Sequence, residues 1–143
     1  MMKAKNLITA FIEEVWNKRR FEKINDFLSE DYKDFSLPPI LKGDSDGTIA
    51  WIKSTSKAFE HHTTIDEIVA EENKVMVKIK MQMRHIGVWR DILPTGAEIS
   101  VTGYRFFKLY NGKIVEHWGM IDGNTIENKL KEAQQVCVPL ELL

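Results

Sequence analysis

The stretch ISVTGYRFFKLYNGKIVEHWGMI, residues 99–121, decides the fold. Asn111-Gly112 divides it into two runs rich in β-branched and aromatic residues, the pattern of two antiparallel strands joined by a tight turn. In the first run Phe107 and Leu109 point one way and Tyr104 and Phe106 the other, so both faces of the sheet need cover. Two registers are open. A two-residue turn pairs Tyr110 with Lys113, Phe106 with His117 and Arg105 with Trp118. A three-residue turn, with Gly112 left-handed and a bulge beside it, sets Arg105 opposite His117 and Phe107 opposite Val115. The second gathers Phe107, Val115 and Ile121 on one apolar face and is preferred. It leaves Arg105 and His117 as polar groups in an apolar wall.

Working upstream, Val75, Val77, Ile79, Met81, Met83 and His85 alternate with Lys78, Lys80, Gln82 and Arg84, a strand with one covered and one wet face. A further strand over Thr63–Glu72 precedes it through a turn at Asn73-Lys74, and Pro94-Thr95-Gly96 supplies turn chemistry after it. Nearer the N-terminus, Leu7, Ile8, Phe11, Ile12, Val15 and Trp16 fall on one helical stripe. A second short helix is predicted over Phe21–Leu28, a short strand over Asp31–Phe35 and a third helix over Thr48–Glu60. Downstream, Asn124 and Glu127 form a capping box for a short C-terminal helix, Thr125–Lys131. Helices first and an antiparallel meander afterwards predict an α+β class, with three N-terminal helices packed on one face of a strongly curved, mostly antiparallel sheet. The other face must close around a cavity, meet a second subunit, or do both. No repeat or low-complexity linker divides the chain, so residues 1–143 are read as one domain.

Composition narrows the function. Twenty Lys and Arg against 21 Asp and Glu give a net charge of -1, without the basic footprint that nucleic acid requires. No apolar run is long enough to span a bilayer, and Cys137 is the lone cysteine, so a cytoplasmic protein without disulfide or membrane anchor is expected. No glycine-rich phosphate loop, serine elbow or Cys/His metal set occurs, so neither a cofactor nor a metal is expected.

The polar candidates each carry a structural and a functional reading. Arg105 in an apolar wall needs a partner, which could be Asp34, Asp122 or a ligand anion. His85 and His117 are either hydrogen-bonded half-buried histidines or working pocket residues. Asp122 either starts a helix or supplies a carboxylate, and His61-His62 reads as a solvated pair in a connection. Trp16, Trp51, Trp89 and Trp118 belong to the core or to a pocket rim.

Three segments carry a resemblance. His85-Ile86-Gly87-Val88-Trp89-Arg90-Asp91-Ile92-Leu93-Pro94-Thr95-Gly96 resembles the H-x-G-x-x-x-G-x-P-P-T-G loop of SnoaL-like polyketide cyclases. Asn111 to Trp118 is similar to that family's D-G-K-I-x-E-H-W strand. Val15-Trp16-Asn17 and Asp31-Tyr32-Lys33-Asp34 are similar to its first helices and short strand. The resemblance implies the cone-shaped barrel of the nuclear transport factor 2 group, commonly a homodimer. It also implies cofactor-free ring closure by aldol condensation, with an aspartate as acid/base. That aspartate's position is Gly119 here; a cyclase histidine aligns with Arg105, an active-site asparagine with Asp34, and His85 and His117 are kept. The function expected on this basis is a cofactor-free cyclase, isomerase or hydratase acting on a small apolar carbonyl compound, with Asp34 or Asp122 as proton carrier and His85 and His117 orienting or polarising the substrate. Arg105, Trp16, Phe107, Trp118 and Trp89 would line the pocket of a small hydrophobic ligand. The alternatives are a non-catalytic binding protein for such a ligand, and a dimeric interaction module using the apolar tail Val136–Leu143.

Overall fold

Five strands form one curled sheet in the order β1-β5-β4-β3-β2. They are β1 (Leu28–Asp34), β2 (Phe59–Glu71), β3 (Lys74–His85), β4 (Glu98–Tyr110) and β5 (Lys113–Ile121). Among the described residues only β1 and β5 run parallel, and the sheet these residues form does not close, leaving β1 and β2 as its edges. The computed structural model describes residues 2–142, and the side-chain surroundings of residues 2–135. Cys137 and the apolar tail at 136–143 lie outside the residues whose side chains are described.

The β4–β5 hairpin follows neither anticipated register. Asn111 and Gly112 both have positive φ, 49° and 72°, so the turn has two residues and Tyr110 pairs with Lys113. The bulge lies farther along: Leu109 pairs with Ile114 but Lys108 with Glu116, which leaves Val115 as the extra residue on β5. That insertion turns the rest of β5 over. Without it His117 would oppose the outward-facing Phe106; with it His117 opposes Phe107 and Arg105 opposes Gly119. His117 thus enters the inner face, where Arg105 already lies beside Phe107 on β4, by a route the sequence did not reveal.

The inner face is buried under helices. Helix α1 (Met2–Phe11) runs into a π-helical turn (Ile12–Asn17), whose wider spacing is seen in the Lys18 N–H to Glu13 carbonyl bond of 3.0 Å. Ile8, Phe11, Ile12, Val15 and Trp16 pack from it against Val75, Val77, Ile79 and Phe107, each large side chain worth about 1.5–3 kcal/mol on burial. The predicted second helix is a 3₁₀ turn (Phe21–Lys23) leading into the single turn α2 (Ile24–Phe27), and β1 begins three residues before the forecast. Helix α3 (Ser45–Ala58) starts earlier than predicted, capped by Asp44. Strand β2 starts at Phe59, which puts His61 on the inner face, bonded to Ser56 at 2.9 Å rather than solvated in a connection. The last helix, α4 (Gly123–Leu142), is twenty residues rather than a short one. Its cap is Asp122, not Asn124: Oδ1 accepts from the backbone of Asn124 and Thr125, and Oδ2 from the Thr125 hydroxyl.

The outer face carries an apolar row across the sheet, with Val69, Met76, Phe106 and Trp118 in register and Phe35 stacked on Trp118 at 4.6 Å. Tyr104 and Met120 flank it, and most of these side chains are exposed.

Candidate functional site

A guanidinium sits deep in an otherwise apolar interior. Arg105 is 5 % exposed, and a cation so placed is tolerated only with charge compensation and hydrogen bonds. Both come from the strand pairing. Its Nη1 donates to His117 Nε2 at 3.2 Å, and because arginine can only donate, the imidazole proton must be on Nδ1. That proton goes to Asp34 Oδ2 at 2.8 Å. The parallel pairing of β1 with β5 sets Asp34 beside His117, both side chains 2 % exposed. His117 also stacks on Phe107.

Asp34 is held from all sides. Oδ1 accepts from the backbone and hydroxyl of Ser36, at 2.8 and 2.6 Å. Oδ2 also accepts from Tyr32 Oη at 3.3 Å, which in turn receives the Thr48 hydroxyl at 3.1 Å. The Ser36 hydroxyl accepts the Gly119 N–H at 2.8 Å. Burial alone would raise this carboxyl, but the His117 and Ser36 hydrogen bonds outweigh it and hold it down to about 2. Burial lowers His117, more than the Asp34 hydrogen bond raises it, so it stays neutral at pH 7. Burial also draws Arg105 down to about 10, against the opposing pull of Asp34, and it remains a cation at neutral pH.

The far side of Arg105 opens into a cavity of about 360 Å³, in the range of small-molecule sites. The guanidinium carbon lies 4.3 Å from the centre of the Trp16 ring, which the π-helical turn carries beneath it. Phe59, Met81, Met83, Ile121 and Ile126 supply apolar walls. Trp51, Ser54 and Thr55 come from α3, and Trp89 and Arg90 from the loop after β3. Among the described residues no carboxylate and no imidazole lines this cavity. One of the five Arg105 N–H donors has a protein acceptor among them.

The loop that brings Trp89 is a second tight hairpin. Trp89 and Ile92 exchange backbone bonds across Arg90 and Asp91, both of positive φ. Arg90 stacks on Trp89 and donates to Asn124 at 3.0 Å, tying the loop to the start of α4.

Of the residues marked in the sequence, Asp34, His117 and Arg105 meet in one network, and Arg105, Trp16, Trp51 and Trp89 line the cavity. The others are elsewhere. Asp122 is a surface helix cap. His85 is fully buried against Phe59, its Nδ1 accepting the Thr95 N–H at 3.1 Å, and does not line the cavity. Phe107 is core, and Trp118 lies on the outer face, 48 % exposed. Ser36, Tyr32, Thr48 and the Gly119 backbone were missed, since nothing in their sequence spacing joins them. Among the described residues, no group of three or more His, Cys, Asp or Glu gathers to hold a metal. Nor is any helix among them long and apolar enough to cross a membrane.

Comparison with known proteins adds the lineage. The family model described as SnoaL-like polyketide cyclase matches residues 6–130. Among solved structures, AclR from Streptomyces galilaeus, a proposed hydroxylase, is 25 % identical with a TM-score of 0.79, covering 92 % of this chain and 98 % of that one. IdmH from Streptomyces antibioticus, a proposed polyketide cyclase, is 21 % identical with a TM-score of 0.81, over 90 % and 98 % of the two chains. A proposed polyketide cyclase from Acidithiobacillus ferrooxidans is 22 % identical with a TM-score of 0.80, over 92 % and 96 %. No curated protein matches the chain.

Proposed function

Since the chain belongs to the SnoaL-like polyketide cyclase family, we propose that its cavity takes an apolar, ring-bearing carbonyl compound and holds one oxygen of it on Arg105. The reaction is of cyclase or isomerase type, with Arg105 stabilising the enolate formed at that oxygen. The observation that carries this reading is the guanidinium itself, buried at the floor of an aromatic cavity with most of its donors unused by the described residues. Such a donor, fixed in place and shielded from water, acts most strongly on an oxygen that gains charge during reaction. The Asp34–His117 pair keeps it oriented and its charge balanced.

Asp34 is a positioning group in this scheme rather than the base. Its carboxyl is held near 2 and lies behind His117, away from the cavity. An effective base needs a raised value and contact with substrate. Among the described residues no carboxylate or imidazole lines the cavity, and in this reading the α-proton passes to solvent or to an ionisable group of the substrate. The same observation favours a second reading, in which the cavity binds its ligand without turnover. The reactions proposed for relatives differ, hydroxylase and cyclase, so fold alone does not choose.

Deuterium exchange at the α-carbon of 2-tetralone separates the two. Catalysis predicts exchange faster than in buffer and a loss of at least about tenfold in Arg105→Gln. Exchange equal to buffer, with 2-tetralone still bound, leaves binding alone.

The homodimer implied by the resemblance belongs, in this reading, on the apolar row of Met76, Phe106, Trp118 and Phe35. An exposed aromatic surface of that kind ordinarily serves as an interface. It lies on the face opposite the cavity, so dimerisation leaves Arg105 untouched.

A further inference from the structure

Gly119 stands directly opposite Arg105. A Cβ built there would be 2.8 Å from Arg105 Nη1, 3.4 Å from Ser36 Oγ and 3.6 Å from His117 Cε1. The guanidinium therefore lies across β5 in the space that any other residue's side chain would fill. The backbone of Gly119 matters too: its N–H bonds Ser36 Oγ, which bonds Asp34, which holds His117, which accepts from Arg105. The polar contacts run in a circuit that starts at the Gly119 amide and returns to lie over its Cα.

We propose that Gly119 is a positioning residue, whose missing side chain seats Arg105 on His117 and so aims the remaining guanidinium donors into the cavity. The inference rests on the reading of Arg105 as the ligand's oxygen receptor and adds what sets the receptor's geometry. Its backbone conformation is not the reason for glycine, since its φ is not in the left-handed region. The constraint is space alone. The atom in the way is the end of a long side chain, which can swing aside at little cost to the fold. A methyl at 119 should thus spare stability and disturb the Arg105–His117 contact. The same geometry means that a longer side chain at 119 would take the place that the Arg105 guanidinium now occupies.

The test compares wild type, Gly119→Ala and Arg105→Gln with two fluorescent probes, 2-naphthoate and uncharged naphthalene, by quenching of tryptophan emission. Side-chain ¹⁵N spectra of His117 are recorded in parallel. Gly119→Ala is expected to weaken 2-naphthoate about tenfold to a hundredfold, the range for a lost charged hydrogen bond. Naphthalene affinity should change by less than about threefold. The His117 Nε2 resonance should move as it loses its donor, while the melting temperature stays within a few degrees of wild type. If Gly119→Ala binds 2-naphthoate like wild type while Arg105→Gln has lost it, the positioning role is overturned and the receptor reading stands. If Arg105→Gln loses nothing, the receptor reading itself fails. If Gly119→Ala weakens both probes equally and melts well below wild type, the glycine is merely structural and the proposal is again overturned.

Discussion

Replacing Asp34 by Asn tests how the buried cation is tolerated. The substitution keeps the shape of the side chain and an oxygen for His117 Nδ1–H, but removes the negative charge that balances Arg105. Holding this carboxyl at about 2 instead of its ordinary 3.8 amounts to about 2 kcal/mol at neutral pH. Leaving the guanidinium without compensation adds to that, and breaking buried ion pairs by removing one partner costs about 3–5 kcal/mol in all. For a chain of this length about 3 °C of melting temperature accompanies each kcal/mol, so Asp34→Asn should melt roughly 10 °C lower at pH 7. The pH dependence has a definite sign. Because the folded value lies below the unfolded one, Asp34 contributes fully above the ordinary 3.8 and its contribution is lost as pH falls through about 2. The gap between wild type and variant should therefore narrow in that window. Urea unfolding of the single variants and of Asp34→Asn with Arg105→Met completes a cycle. Once the cation is gone the asparagine should cost less, with a coupling above about 1 kcal/mol. Strict additivity, or a melting shift under about 2 °C, would refute the charge-balance argument.

Other expectations follow from single contacts. A Cβ at Gly103 would meet Ile121 Cδ1 at 2.1 Å, so Gly103→Ala should destabilise by about 1–3 kcal/mol in urea unfolding and shift the cavity wall that Ile121 forms. Arg90→Ala frees the Trp89 hairpin from Asn124 and should raise amide exchange at residues 88–92, at a stability cost below about 1 kcal/mol. Unchanged exchange would mean the turn holds itself. Trp118→Glu should leave 2-naphthoate affinity alone, because Trp118 faces away from the cavity, while lowering the mass measured by light scattering if copies meet on the outer row. An unchanged mass would remove that row from the interface.

The sequence disclosed the architecture well because its signals were local. Period-two alternation over residues 75–85 and the Asn111-Gly112 turn each depend on neighbouring residues, and the strands formed where they pointed. The site was half legible for the opposite reason. Arg105 and His117 could be put on one wall from a hairpin register, yet the register in use needs a bulge at Val115 that no residue type announces. Asp34 joins them only through parallel pairing of β1 with β5, a contact across 83 residues of chain. Ser36, Tyr32 and Thr48 are ordinary loop, strand and helix residues until that pairing exists. Asp122 misled because a carboxylate before Gly-Asn reads equally as acid and as helix cap, and the geometry makes it the cap. Trp118 misled through the same bulge that rescued His117: its side chain goes outward whenever its neighbour's goes inward.

The most direct test of the account is a crystal structure of the protein soaked with 2-naphthoate. The rings should lie among Trp16, Phe59 and Trp89, with a carboxylate oxygen within about 3.2 Å of an Arg105 nitrogen other than the one bonded to His117. A carboxylate held at Arg90 with Arg105 left unengaged, or a cavity that stays empty at saturating ligand, would contradict it.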